Sequence, residues 1–294
     1  MSTDQPVFAP VQRLDAERLI DSINSTLRLG LRFLGPAPGG NVGAAYVATA
    51  DGRQSVLTWQ PGSSTDRHRE IADLLDIARR HGLAVPRYEH VLQVGSAVAI
   101  VQERLPGTPP GRVDRALTGQ FVEVNARLRG VLADRPDIPA AQLYLRESGP
   151  GFCLHEPLHE YSDRTRRILQ WVREVGAGCP DLMRGDDLVH LDFQPANVLV
   201  DDAGRLTGVI DWDGAARGDG RMDLVVLLFG LHSGCASPAT IDWLWDRIRE
   251  QLTADELRPY WASMSLRMID WSIRHYSADD VEHWIDLAET RIDR

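Results

Sequence analysis

Lysine is absent from this chain: all 32 basic residues are arginines. Any chemistry that normally uses a lysine must be done differently here, because a guanidinium does not simply replace an ammonium. Cysteine is scarce too. Cys153, Cys179 and Cys235 are odd in number and far apart, which excludes a disulfide framework or zinc knuckle and suits reduced thiols in the cytosol. No apolar run approaches the roughly 20 residues that span a bilayer. The opening stretch, MSTDQPVFAPVQRLDAERL, has neither the basic start nor the apolar segment of an export signal. A cytoplasmic protein with no membrane partner is expected. Basic residues are outnumbered by 42 acidic ones, for a net charge of −10. That balance argues against nucleic-acid binding, which needs a basic face. It serves solubility and favours cationic small molecules.

What is present is ordinary globular material, 294 residues of which 43% are hydrophobic and 25% charged, enough for one large domain or two lobes. Apolar spacing predicts a short helix over 12–24. LRLGLRFLG, AAYVATA and RQSVLTW read as three strands, the last two joined by Asp51-Gly52 as a two-residue hairpin turn. STDRHREIADLLDIARRHG reads as a helix with Ser64 or Thr65 as N-cap and Gly82 near its stop. Two more strands, RYEHVLQV and AVAIVQERL, complete a β-β-β-α-β-β half over 1–105. PGTPPG, 106–111, suits neither helix nor strand and marks a linker. Beyond it, 112–294 reads as helices at 113–134, 162–176, 222–232, 239–252, 255–276 and 279–292, with one β-rich interruption at 188–213.

That interruption carries the chemistry. In LVHLDFQPANVLVDD, Pro195 keeps Asp192 and Asn197 off a plain helix, so they sit on a loop leading into a strand. After the turn DAGR a second strand ends in Asp211 and Asp213. A hairpin of this length brings Asn197 and Asp211 together, an amide and a carboxylate suited to Mg²⁺ on phosphates. Asp192 can accept a proton from an attacking hydroxyl.

HLDFQPANVLV followed by GVIDWDGAARGDGRMDL resembles the aminoglycoside phosphotransferase and choline kinase-like family, small-molecule relatives of the protein kinases. The resemblance implies an α+β, bilobal protein-kinase-like fold: an N-terminal lobe with an antiparallel sheet and a helix, and a larger, mainly helical C-terminal lobe. It makes Asp192 the catalytic base, braced by His190, and Asn197 and Asp211 the Mg²⁺ ligands. Asp213 follows the metal position. Asp219 and Asp223 match the family's Gly-Asp-x-x-x-Asp stretch, with Asp223 bracing the catalytic loop. Gly39, Gly40, Asn41 and Gly43 would turn over the phosphates of ATP or GTP, where backbone N–H groups meet anionic oxygens. Glu103 and Leu105 fall at the interlobe hinge that pairs with the base, and Glu70 where kinases place their helix glutamate. The third strand departs from the family: Thr58 stands where a phosphate-binding lysine is expected. Mg²⁺, backbone N–H groups or an arginine from elsewhere would have to take its place.

The implied activity is phosphorylation of a hydroxyl on a small, cationic molecule, an aminoglycoside-like or basic peptide antibiotic, with a metabolic alcohol as second choice. Thr58 also keeps open a non-catalytic nucleotide- or drug-binding protein. Two further features compete for attention. HEPLH, 155–159, has the His-Glu-x-x-His spacing of zinc proteases, but Pro157 argues against a helix through His155. The C-terminal stretch 242–294 holds twelve acids against seven arginines, with Asp270 and Trp271 as candidate contacts for a cation.

Overall fold

The computed structural model describes residues 13–37 and 43–292. Five antiparallel strands form the N-terminal sheet: β1 (Arg32–Ala37), β2 (Ala44–Ala48), β3 (Gln54–Pro61), β4 (Tyr88–Val94) and β5 (Ala97–Glu103), in the order β1-β2-β3-β5-β4. Strand periodicity divides β3 cleanly. Ser55 and Leu57 are buried on one face, while Val56, Thr58 and Gln60 point to the other. The first face is covered by α1 (Ala16–Leu27), whose N-cap Asp15 accepts the Arg18 N–H at 3.2 Å. Its stripe of Leu19, Ile20 and Ile23 packs with Leu57, Ala99 and Val101. Between β3 and β4 lies α2 (Thr65–Arg80), started by Ser64, whose hydroxyl accepts the Arg67 N–H at 3.2 Å. The Asp51-Gly52 pair is not a two-residue turn. It lies inside the longer connection 49–53, closed by Thr49 N–H to Arg53 O at 2.9 Å, with Gly52 at φ 85°.

From Glu103 to α3 (Arg115–Arg127) the chain has no regular element, and this linker is fastened to the second half. Thr108 and Val200 exchange backbone hydrogen bonds of 3.1 and 2.9 Å, and the Thr207 hydroxyl donates to Pro106 O at 2.6 Å. Gly107 makes the approach possible. It sits at φ 103°, and a Cβ there would lie 2.7 Å from the Val200 carbonyl oxygen.

Helices α4 (His155–Tyr161), α5 (Asp163–Ala177), α6 (Arg221–Leu231), α7 (Pro238–Arg249), α8 (Ala254–His275) and α9 (Ala278–Glu289) build the C-terminal half. From Met222 to Leu231 every residue of α6 is buried, so it forms the centre of this half. Phe229 packs on Trp261 at 4.8 Å, and Trp245 on Trp261 at 5.6 Å between centroids, so Trp261 is core and Trp245 lies half-buried against it. Two short antiparallel pairs carry the polar motif: β6 (Asp187–Val189) with β9 (Ala216–Gly218), and, between them in sequence, the hairpin β7 (Val198–Val200) with β8 (Leu206–Val209).

A helix does start at His155, against the sequence expectation. Pro157 falls in its first turn, where a missing N–H costs no hydrogen bond. The zinc reading fails for another reason: His155 Nε2 bonds Tyr144 O at 3.0 Å and Nδ1 accepts from Arg173 at 3.4 Å. Both ring nitrogens are occupied.

Candidate active site

The loop between β6 and β7 is held in place before any ligand is considered. Asp223, buried on α6, accepts the backbone N–H groups of His190 and Leu191, each at 2.8 Å. Burial pushes its carboxyl up to about 7, and those two hydrogen bonds pull the other way. His190 is buried against Trp212, with ring centroids 4.5 Å apart. Asp192 N–H donates to its Nδ1 at 3.2 Å, so Nε2 carries the ring proton and donates to Ile210 O at 2.9 Å. Burial also lowers its pKa, which favours the neutral ring that this network needs. His190 therefore ties the loop to the strand end carrying Asp211. Leu191 and Asp211 both sit at φ 63°, left-handed positions that cost energy for such residues and are held by these contacts.

Asp192 is surrounded by donors. Asn197 Nδ2 donates to its Oδ2 at 2.7 Å and to its backbone carbonyl at 2.9 Å. Gln194 Nε2 lies 3.2 and 3.3 Å from the two carboxylate oxygens. Arg267, on α8, completes the set with a 2.7 Å ion pair to Oδ1 and a second bond to Leu191 O. Sequence reasoning missed Arg267, because nothing local relates it to a residue so far upstream.

Asn197 spends its amide nitrogen on Asp192, which leaves its side-chain oxygen to turn elsewhere. Asp211 has no hydrogen bond or ion pair among the described residues. Although solvent reaches it, the surrounding protein and the carboxylates of Asp213 and Asp192 raise its pKa to about 8. Ile210 N–H donates to the Asn197 backbone carbonyl at 2.9 Å, so the crowded Asp211 carboxylate follows directly on the strand end paired with Asn197, a placement that suits a divalent cation. Among the described residues no three His, Cys, Asp or Glu side chains converge on one point. A site with so few protein ligands fits Mg²⁺, which takes its remaining positions from phosphate and water, better than a fully caged metal.

Asp213 faces the other lobe. Gln60 Nε2 donates to its Oδ2, and Arg67 Nη2 donates to the carbonyls of Asp213 at 3.2 Å and Ala215 at 2.7 Å. Burial raises its carboxyl to about 6 despite Arg67 and Gln60. Asp219 lies further out, gripped by Arg221 and by Tyr260 OH at 2.7 Å. Like Asp223, it holds the scaffold.

Other expected residues fall differently. Gly39, Gly40 and Asn41 lie outside the described residues, whereas Gly43 enters β2 at φ 88°. Thr58 faces Ala44 and Ile100 in the sheet register. Glu70 does not reach β3. It is exposed, and its ion-pair partner is Arg67, 3.7 Å away on the same helix. Glu103 N–H is already given to Arg87 O at 2.8 Å, so it is not free for a base, while Leu105 packs over Gly208. Asp270 corrects the substrate expectation. It is fully buried, with Arg274 on both oxygens at 2.7 and 2.9 Å and Leu154 N–H on one at 3.0 Å. Trp271 packs at a tilt against His275, with ring centroids 4.1 Å apart, beside Arg274. A guanidinium already occupies this corner, so the pair is not an open cation site.

A loop with a fixed carboxylate, a hairpin end with a crowded one and a five-stranded lobe that contacts the same segment through Gln60 and Arg67 fit a kinase-like phosphotransferase. Residues 35–266 match the phosphotransferase enzyme family (APH), and the chain belongs to it as a small-molecule phosphotransferase. No curated protein sequence matches the chain. Solved structures share its fold. A thermostable mutant of aminoglycoside phosphotransferase APH(4)-Ia, in ternary complex with AMP-PNP and hygromycin B, is 19% identical with a TM-score of 0.68, over 95% of this chain and 97% of that one. The GDP and kanamycin complex of APH(2'')-IIIa is 14% identical with a TM-score of 0.62, over 93% and 98%. APH(3'')-Id from Streptomyces rimosus is 16% identical with a TM-score of 0.54, over 86% and 98%.

Proposed function

We propose that this protein transfers the γ-phosphoryl group of ATP or GTP to a hydroxyl of a small molecule, with Mg²⁺. The observation that carries this reading is the orientation of Asp192, whose carboxylate is fixed by Asn197, Gln194 and Arg267 while His190 and Asp223 fix its loop. A carboxylate so held aligns the acceptor hydroxyl and takes its proton as the oxygen attacks. Asn197 and Asp211 would hold Mg²⁺, which neutralises charge on the phosphate oxygens when bound. The linker after Glu103 would meet the base, with Leu105 or a later residue supplying the donor that Glu103 does not have free.

The acceptor we favour is an aminoglycoside-like cation, which makes this an antibiotic-resistance kinase of the cytoplasm. The net charge of −10 supports it, as do fold relatives bound to hygromycin B and kanamycin. Among the described residues no helix is long and apolar enough to cross a membrane. The test is nucleotide turnover against a panel of aminoglycosides, basic peptide antibiotics and small metabolic alcohols, with and without Mg²⁺. Mg²⁺-dependent release of ADP or GDP with one aminoglycoside, and a phosphorylated product by mass, is the expected result. Turnover with a neutral alcohol alone would move the substrate class. Nucleotide binding with no acceptor turned over would make this a binding protein.

A further inference from the structure

Thr58 and Gln60 share the β3 face that looks toward Asp213, and both are neutral. A kinase-like site needs positive charge near the nucleotide phosphates, normally a strand ammonium paired with a helix glutamate. Here a cation reaches the same wall from the helix. Arg67 is in the first turn of α2, and its Nη2 is anchored on the carbonyls of Asp213 and Ala215, just past Asp211. Its Nη1 lies 3.7 Å from Glu70 Oε2, one turn along. Nε and Nη1 have no hydrogen bond among the described residues, so the fork keeps donors to offer. Its side chain is one-third exposed, which leaves part of the guanidinium open to solvent. The ion pair that kinases build between strand and helix has its counterpart within α2.

We infer that Arg67 is the phosphate-binding cation of this site, a helix-borne guanidinium acting where a strand-borne ammonium is missing. The inference rests on the phosphotransferase reading above. Arg67 would contact the terminal phosphates through Nε and Nη1, while Nη2 keeps its hold on the loop after Asp211. A planar, permanently charged fork suits phosphate oxygens. Thr58, half-buried between Ala44 and Ile100 in the sheet, has no charge of its own to offer.

The competing role is a strut that only docks α2 on the 213–215 segment. Phosphate dependence separates the two. Calorimetry on the full chain should compare Mg-ATP with adenosine (or Mg-GTP with guanosine) for wild type, Arg67→Met and Thr58→Lys/Arg67→Met. Methionine keeps an aliphatic stem and removes only the charged fork. Arg67→Met should weaken Mg-ATP roughly ten- to a hundredfold, the range for a charged hydrogen bond, and leave adenosine within about threefold. The added lysine at 58 should recover much of the loss, which no strut role would allow. Equal losses for nucleotide and nucleoside, no loss at all, or no recovery in the double variant would overturn the inference. Should Arg67→Met unfold at the assay temperature, Arg67→Lys replaces it: a retained charge predicts a smaller, still phosphate-dependent loss, and a loss shared with adenosine refutes it. A wild type that binds no nucleotide and no nucleoside refutes the phosphotransferase reading itself, a result distinct from all of these.

Discussion

Replacing Arg267 with alanine removes one donor to the proposed base and leaves the others. The ion pair to Asp192 spans 2.7 Å, with the two side chains 26% and 27% exposed. A charged hydrogen bond of this kind contributes roughly 1.5–3 kcal/mol when shielded, and solvent at both partners discounts it toward about 1–2 kcal/mol. Asn197 and Gln194 still hold the carboxylate, so its orientation loosens without collapsing. The expected result is a fall in kcat of roughly five- to thirtyfold. Nucleotide affinity should be nearly unchanged, because the hydrogen bonds of Arg267 go to Leu191 and Asp192, and none goes to β3, α2 or the Asp211 segment. Arg267→Lys should lie between, since a point charge reaches one acceptor and loses the fork. Steady-state transfer to an acceptor found by the panel gives kcat, and calorimetry with Mg-nucleotide gives affinity. Unchanged kcat, or affinity that falls in step with kcat, would refute the positioning role.

Asp192→Asn should lower kcat by several orders of magnitude while Mg-nucleotide still binds, because the lost group acts on the acceptor; near wild-type turnover in a direct transfer assay would exclude it as the base. Asp211→Ala should weaken Mg-nucleotide binding and abolish transfer by removing the anionic metal ligand, and unchanged affinity by calorimetry would take the residue out of the site. His68 is buried, with its pKa held down to about 4 by burial and then by Arg67, and it faces Ser63 at 2.9 Å and Asp213 at 3.8 Å. The unfolded chain therefore protonates it first, so stability is whole above about 6.5 and falls as pH drops toward 4, by up to roughly 3 kcal/mol. His68→Gln should flatten that acid limb in calorimetric unfolding scans, and parallel limbs for the two proteins would contradict it.

What could be read before the structure was what depends on near neighbours in sequence. The His-x-Asp-x-x-x-x-Asn spacing forces Asp192 and Asn197 into one turn-containing loop, and Asn197 does bond Asp192. The β3 alternation follows from periodicity, and helices α3 and α5–α9 fall where the sequence places them, although α3 stops at Arg127, well short of 134, and α4 was not expected. Arg267 and Arg67 were illegible because long side chains reach across segments that only tertiary packing brings together. Asp270 looked available because an acid between aromatic residues suggests cation binding, yet Arg274 one turn later neutralises it. Pro157 misled in the opposite direction, since proline breaks a helix interior but fits its first turn.

The fastening of the linker has a mechanical consequence. With Thr108 laddered to Val200 and Gly107 pressed on the same strand, residues 106–108 move with the hairpin that carries Asn197 and leads to Asp211. Leu105 packs over Gly208 of the same hairpin, and Val209 N–H donates to Ala84 O at 2.9 Å, so the connection is held to that hairpin at several points. A ligand held by residues 106–108 would keep a fixed position relative to the hairpin that follows Asn197. One residue added between 106 and 108 would throw the Thr108–Val200 ladder out of register and release the linker from that hairpin.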